Sequence, residues 1–319
     1  MKRVLTTEEK KRLGYLEPKL RAAAKYGNYG EAKVLAAEVQ QILRSAENET
    51  RLMQAKNWLF MAALESGNIT TAQMGFEGVR KKTAKTTRVY LEATALEAVC
   101  YLRKGELNDA EPLMREAVKR VGNIKSAERR KQFYKRLLEI FEQEWVIAVL
   151  QQDSPSLRVT DDELQNEAGE LLRSRTEEDI ERYACSDIPP SRLASIFDAY
   201  DCAYGFLPSA ERKRLPNPET RKSDLEKGRT IISSVKKVLW RSICDENSAV
   251  YKMWFEHGVM AVLDKKLISA AVIASLAQMK IGYYALAVSV TAILLKTGVE
   301  VFCDRFEPLD LMIEKADKR

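Results

Sequence analysis

The chain carries a single histidine, His257, set between Glu256 and Gly258 in an apolar helical pattern. One imidazole excludes a His-rich metal centre, and a Ser-His-Asp arrangement is open only with His257 as its base. No neighbouring residue marks a nucleophile, so His257 reads as structural. Five cysteines, Cys100, Cys185, Cys202, Cys244 and Cys303, are scattered with no Cys-x-x-Cys pair. They read as buried or half-buried thiols in a reducing cytoplasm. The carboxylates of "DDELQNE", Asp161 to Glu167, have helical spacing, as any solvated helix face does, and Asp304, Glu307 and Asp310 read as exposed charges. Phosphate-cradling glycine loops and the His-Glu-x-x-His zinc motif are missing. The expectation is a protein with no catalytic residues, no metal and no cofactor.

Charge offers a different chemistry. Residues 1–150 hold 28 Lys and Arg against 19 Asp and Glu, whereas the remainder of the chain is mildly acidic. Arg80, Lys81, Lys82, Lys85 and Arg88 form one cluster. A second runs through "KSAERRKQFYKR", with Lys125, Arg129, Arg130, Lys131, Lys135 and Arg136. Guanidinium and ammonium groups neutralise phosphate, and Phe133 or Tyr134 between them could stack on bases. This makes Arg129, Arg130, Lys131 and Lys135 the candidate nucleic-acid contacts. Phe133 is also in phase with Leu137 and Phe141, which favours a core position with a solvated basic face behind it.

The elements that would position such groups are announced by three turns. "GNYGEA", "GNITTA" and "GELNDA" place Gly27, Gly67 and Gly105 at steps of 40 and 38 residues, and an alanine follows each at Ala32, Ala72 and Ala110. Glycine just past a helix adopts the left-handed conformation that other residues resist. Asn68 and Asn108 are apt to cap the next helix. The alanine suits a close crossing of two antiparallel helices, where a larger side chain would hold them apart. Recurrence at this spacing is the mark of a stacked array of helix pairs.

These turns resemble the helix-turn-helix junction of tetratricopeptide repeats over about residues 8 to 122. The period exceeds the 34 residues or so of that family, and Leu20, Phe60 and Ala98 fall near the place of its first-helix glycine. The resemblance implies an all-α solenoid whose first helices line a groove for a peptide or protein partner. Counting back from each alanine, it implies ligand contacts at Arg21 and Lys25, at Gln54, Asn57 and Met61, and at Glu92, Val99 and Arg103.

Apolar spacing predicts helices at about 8–26, 28–46, 49–66, 68–83, 87–104 and 106–121, then a capping helix at 125–151. Residues 1–150 are therefore expected to form the repeats and their cap. A connector at 151–227 holds six of the nine prolines and, over 151–187, eleven acids against four bases. Residues 228–319 are expected to form a helical domain containing an apolar hairpin at 267–303. The run Leu267 to Leu295 is broken by Gln278 and Lys280. Each arm is shorter than the ~20 residues that span a bilayer. "KKVLWRSICD" and this run resemble uncharacterised bacterial proteins of variable genomic islands, which implies a bacterial origin and suggests phage defence. "MKRVLTTEEKKRL" has no apolar run behind its basic residues and does not read as a secretory signal.

Two function classes follow. In the first, a cytoplasmic, non-enzymatic adaptor holds another protein or peptide in the repeat groove, and the hairpin is core. In the second, the hairpin is an effector that inserts into a membrane on cue. A nucleic-acid-associated subunit using the basic face is a third reading.

Overall fold

The computed structural model describes residues 3–46, 48–246, 248, 250–252, 265–306 and 311–312. Among them the protein is all-α, with sixteen α-helices, two 3-10 turns and no strand. The chain divides into two compact units. One comprises Met1–Ile140, Gly205–Glu211 and Asp310–Arg319, the other Phe141–Tyr204 and Arg212–Leu309.

The first unit is built from helix pairs α1 (Thr7–Lys25) and α2 (Tyr29–Ser45), α3 (Glu49–Glu65) and α4 (Ile69–Lys82), α5 (Arg88–Arg103) and α6 (Leu107–Lys119); of the next helix, α7 (Ala127–Gln151), the part up to Ile140 belongs to this unit and the part from Phe141 to the second. Each helix from α2 to α6 packs on its predecessor, and the first helices of successive pairs also lie side by side, α1 on α3 and α3 on α5. α5 packs against α3, α4 and α6 and is buried from Val89 to Leu102 except at Tyr101.

The three turns share one backbone pattern. Gly27, Gly67 and Gly105 have φ of 64°, 81° and 76°. After each, the next amide reaches back to the helix just ended: Asn28 N to Ala23 O, Asn68 N to Ala63 O and Glu106 N to Tyr101 O, at 2.9, 2.8 and 3.0 Å. Ala32, Ala72 and Ala110 are each 0% exposed. Capping differs from expectation. Asn28 alone accepts a backbone N–H, from Glu31, whereas the Asn68 amide donates to Ser66 Oγ and Asn108 lies inside α6, whose cap position is Glu106.

In the second unit the proline-rich connector does not stand apart from the apolar C-terminal run. Helices α8 (Asp161–Ser174) and α9 (Glu177–Tyr183) pack around α13 (Asp224–Ile243), α14 (Lys265–Gln278) and α15 (Tyr284–Thr297) in one core. Short helices α10 (Pro190–Ser195), α11 (Asp198–Phe206) and α12 (Ser209–Arg212) lie between α9 and α13 in the chain, and α16 (Val299–Arg305) follows α15. The run breaks where Gln278 and Lys280 announced it. Lys280, at φ 56°, takes the left-handed position after α14, and its amide bonds to Ala277 O. α15 is buried on every side from Ala285 to Leu294 and is tied by Ser289 Oγ to Ile180 O at 3.0 Å. Its first turn is held by Asp187, whose Oδ2 accepts the Ala285 N–H.

Cys244 and Cys303 are joined in a disulfide, with Cα atoms 5.5 Å apart and 59 residues between them in sequence. This corrects the reading of these two as thiols. The bond becomes possible because the end of α13 meets α16, where Trp240 Nε1 also donates to Cys303 O at 2.6 Å. Cys100 and Cys185 are buried, as expected, and Cys202 is half-buried.

Two measurements test this architecture. Ala72→Leu overpacks the crossing of α3 and α4 and lowers stability by about 1–3 kcal/mol, whereas Thr71→Leu, on an exposed position, leaves the melting temperature nearly unchanged; equal effects would remove the crossing argument. Reduction of the Cys244–Cys303 bond lowers the stability of the second unit by about 2–4 kcal/mol. Urea unfolding with and without dithiothreitol reads this, and peptide mapping under non-reducing conditions must recover the linked pair.

Candidate functional site

The first helices α1, α3 and α5 lie side by side, and the eight residues singled out by the repeat resemblance lie on them. Four of them are buried: Asn57 and Glu92 at 0% exposure, Val99 at 2% and Met61 at 7%. The other four, Arg21, Lys25, Gln54 and Arg103, are half-buried.

Their polar atoms are engaged with one another's repeats. Asn57 Nδ2 donates to Val89 O at 3.1 Å, and Gln54 Nε2 donates to Glu92 Oε2 at 2.8 Å, both joining α3 to α5. Arg103 reaches back from α5 to Leu64 O at 3.1 Å and to Glu65 Oε1 at 3.1 Å. The Arg21 guanidinium of α1 lies 5.5 Å from the Trp58 ring centroid of α3, and Lys25 lies over Tyr26 at 5.3 Å. One further rung was not foreseen: Arg51 Nε of α3 donates to Glu17 Oε1 of α1 at 2.5 Å.

These rungs have a sequence signature. Their partners are separated by about one repeat period: 34 residues for Glu17 and Arg51, 38 for Gln54 and Glu92, and 38 for Glu65 and Arg103. Opposite charges or an amide one period apart, on first helices, are the sequence sign of such rungs. Glu92 is tolerated at full burial because Arg88 Nε donates to it at 2.7 Å as well. The Asn57 Oδ1 acceptor has no donor among the described residues. Gln54 has a further contact, with Met312 Sδ at 3.6 Å, across 258 residues of sequence.

A second polar cluster joins α4, α5 and α6. Arg80 donates to Glu97 Oε2 at 2.9 Å and to Glu116 Oε2 at 3.2 Å, while Tyr90 OH donates to Glu116 Oε1 at 2.7 Å. Glu97 has a side-chain exposure of 6%. Burial pushes its carboxyl above the ordinary value, and the Arg80 guanidinium pulls the other way.

The basic helix face is partly consumed inside the unit. Arg130 donates to Glu211 Oε1 at 3.1 Å and to Ile124 O at 2.9 Å. Arg129 and Lys135 are exposed, and Lys131 is half-buried. Phe133 and Tyr134 are both 0% exposed, so neither ring is available to stack on a base. In the other cluster Arg80, Lys81 and Arg88 are held by acidic partners.

His257, Glu307 and Asp310 lie outside the described residues. Among those described, no group of three or more His, Cys, Asp or Glu could hold a metal ion. The Cys185 thiol is pushed up to about 11, chiefly by burial and then by nearby Asp224. Such a thiol is protonated at neutral pH and a poor nucleophile. Among the described residues no single helix is long and apolar enough to cross a membrane; α15 and α16 reach that length only together, bent by 98°.

No family model matches the chain, and no curated protein or solved structure matches it.

The cluster on Arg80 makes a pH-dependent prediction. A carboxyl raised in the folded state keeps its proton over a range where the unfolded chain has lost it, so stability falls as pH rises through that range. Arg80→Ala removes the charge that opposes this and leaves Glu97 buried alone, at a cost of about 3–5 kcal/mol near neutral pH. The deficit against wild type narrows as pH is lowered and Glu97 takes up a proton. Urea unfolding at pH 7 and pH 5 measures it, and a deficit independent of pH would show that Glu97 is not the group responsible.

Proposed function

We propose that the protein is a non-enzymatic binding module of tetratricopeptide-like construction, which holds a short segment of another protein on the α1–α3–α5 face of its first unit. The observation that carries this reading is the packing of the three first helices, α1 on α3 and α3 on α5, with turns that share a positive-φ glycine and the same backbone hydrogen bond. A stack of helix pairs presents an extended surface made by one helix of each pair, and such surfaces serve recognition. The face is polar, with half-buried Arg21, Lys25 and Gln54 at its surface. It is also stiffened by the rungs beneath, so a ligand would meet groups already held in place.

The apolar hairpin is read as core. Ala287 and Val290, which an inserting segment would present to lipid, are each 0% exposed and lie in the core shared by α8, α9, α13 and α14. Moving α15 into a bilayer would dismantle that core. The basic helix is read as a solvated face, because its aromatic residues are enclosed.

Selection of linear peptides from a displayed library tests the recognition reading. The wild-type protein is expected to enrich a related set of sequences. A variant with Arg21→Glu and Lys25→Glu, which changes charge at half-buried positions and leaves the rungs from Asn57, Gln54 and Arg103 intact, is expected to lose that enrichment. Its melting temperature should stay close to wild type. Failure of the wild type to enrich any sequence, or equal enrichment by the folded variant, would move the function away from this face.

A further inference from the structure

Resting on the recognition reading above, we propose that the α1–α3–α5 face contains a site for an apolar Leu-Met pair in a short peptide, and that the chain's own Leu311 and Met312 fill it. Leu311 is 1% exposed and Met312 2%, a degree of burial that two residues so remote from the repeats in sequence reach only by packing into a formed surface. Both belong to the first unit. The point of attachment is Gln54 on α3. Its side-chain nitrogen carries two N–H groups: one donates to Glu92 Oε2 at 2.8 Å, and Met312 Sδ is the acceptor for the other at 3.6 Å. Thioether sulfur is a weak acceptor, so this contact sets direction while the energy comes from removing the two apolar side chains from water.

The surroundings suit such a ligand. Glu92 is fully buried and compensated by Arg88 and Gln54. A neutral, polarizable thioether can cover that arrangement, whereas a second carboxylate beside Glu92 would be repelled. Three residues along α3, Asn57 is fully buried with Oδ1 lacking a donor among the described residues, an acceptor suited to a main-chain N–H of a bound segment. An outside peptide offering the same pair must displace Leu311 and Met312, whose local concentration is fixed by the covalent chain. The site is thus held closed to weak ligands.

The sulfur gives a test on the unaltered protein. Under dilute peroxide, Met312 is expected to form sulfoxide at least tenfold more slowly than Met74, which is 68% exposed; equal rates by peptide mapping would overturn the proposal. In a second arm the full chain carries Leu311→Ser with Met312→Ser, and binding of a labelled peptide of sequence FEPLDLMIEKADKR is followed by fluorescence anisotropy. The variant is expected to bind at least tenfold more tightly than wild type, and to lose that binding when the peptide carries the same two serines or when Gln54→Ala is added. No binding by a variant of native circular dichroism would sink the proposal, and should the variant fail to fold, the oxidation rates decide. Library peptides that bind wild type and variant equally would leave the recognition reading standing and remove this one. Protection of Met312 with peptide binding, but no library ligand, would do the reverse.

Discussion

The first unit depends on how closely its helices can approach. Between the two helices of each pair, the chain must reverse within a few residues and bring a second helix against the first, with Ala32, Ala72 and Ala110 enclosed at the start of that helix. A positive-φ glycine makes the reversal possible without a bulge, and the backbone bonds that follow it satisfy the carbonyls the ended helix leaves behind. Gly27 shows how tight this is: a Cβ there would meet the backbone of Glu65, at the end of α3, at 3.0 Å. The glycine is required twice over, for its φ and for its lack of side chain. At Gly27, helix pairing inside one repeat and stacking on the next therefore meet at the same residue, whereas Gly67 and Gly105 are called for by φ alone.

That closeness explains what became of the polar residues on the inner helices. With first helices side by side, Asn57, Glu92 and Arg103 lie within reach of the next repeat, and water is excluded from much of the seam. An amide or charge there must find a partner or impose a desolvation cost. The chain supplies partners one period away, so the seam is polar without being open. A pair such as Gln54 and Glu92 fixes which residues face each other, a specificity that apolar contacts alone define less sharply. The same rungs leave the half-buried Arg21 and Lys25 of α1 outside the seam between α3 and α5.

How much of this could be read from the chain follows from the range of each interaction. The first six helices lie within two residues of expectation at each end, because glycine, alanine and apolar phase act over one or two turns. Phe133 in phase with Leu137 and Phe141 rightly argued for core, and all three are 0% exposed. The candidate site was legible as positions but not as environments. Nothing local in "EATALEAV" tells that α5 is covered by α3, α4 and α6, so Glu92 and Val99 looked like ligand contacts. The connector was misjudged for a related reason. Proline shortens helices, but α8 and α9 still carry apolar faces through Leu164, Ala168 and Ile180. These faces meet the C-terminal run only after the chain has folded. Cysteine pairing 59 residues apart is equally invisible to spacing.

The second unit shows why apolar length is a poor guide to membrane insertion taken by itself. α15 is as apolar as a spanning segment over its fourteen residues, yet each side has a protein neighbour. Two of its polar groups reach other elements: Ser289 donates to Ile180 O of α9, and the Ala285 N–H is met by Asp187. A helix designed for lipid would have no reason to carry a capping acid on another element, or a serine aimed at a neighbour's carbonyl. A helix enclosed by five others needs both, because there the burial of backbone and hydroxyl groups must be answered by the protein alone. The disulfide adds a covalent limit, since Cys244 and Cys303 bracket α14 and α15 and hold the ends of that segment together. Apolar content, polar satisfaction and cross-link thus point the same way, toward a central helix of a folded unit.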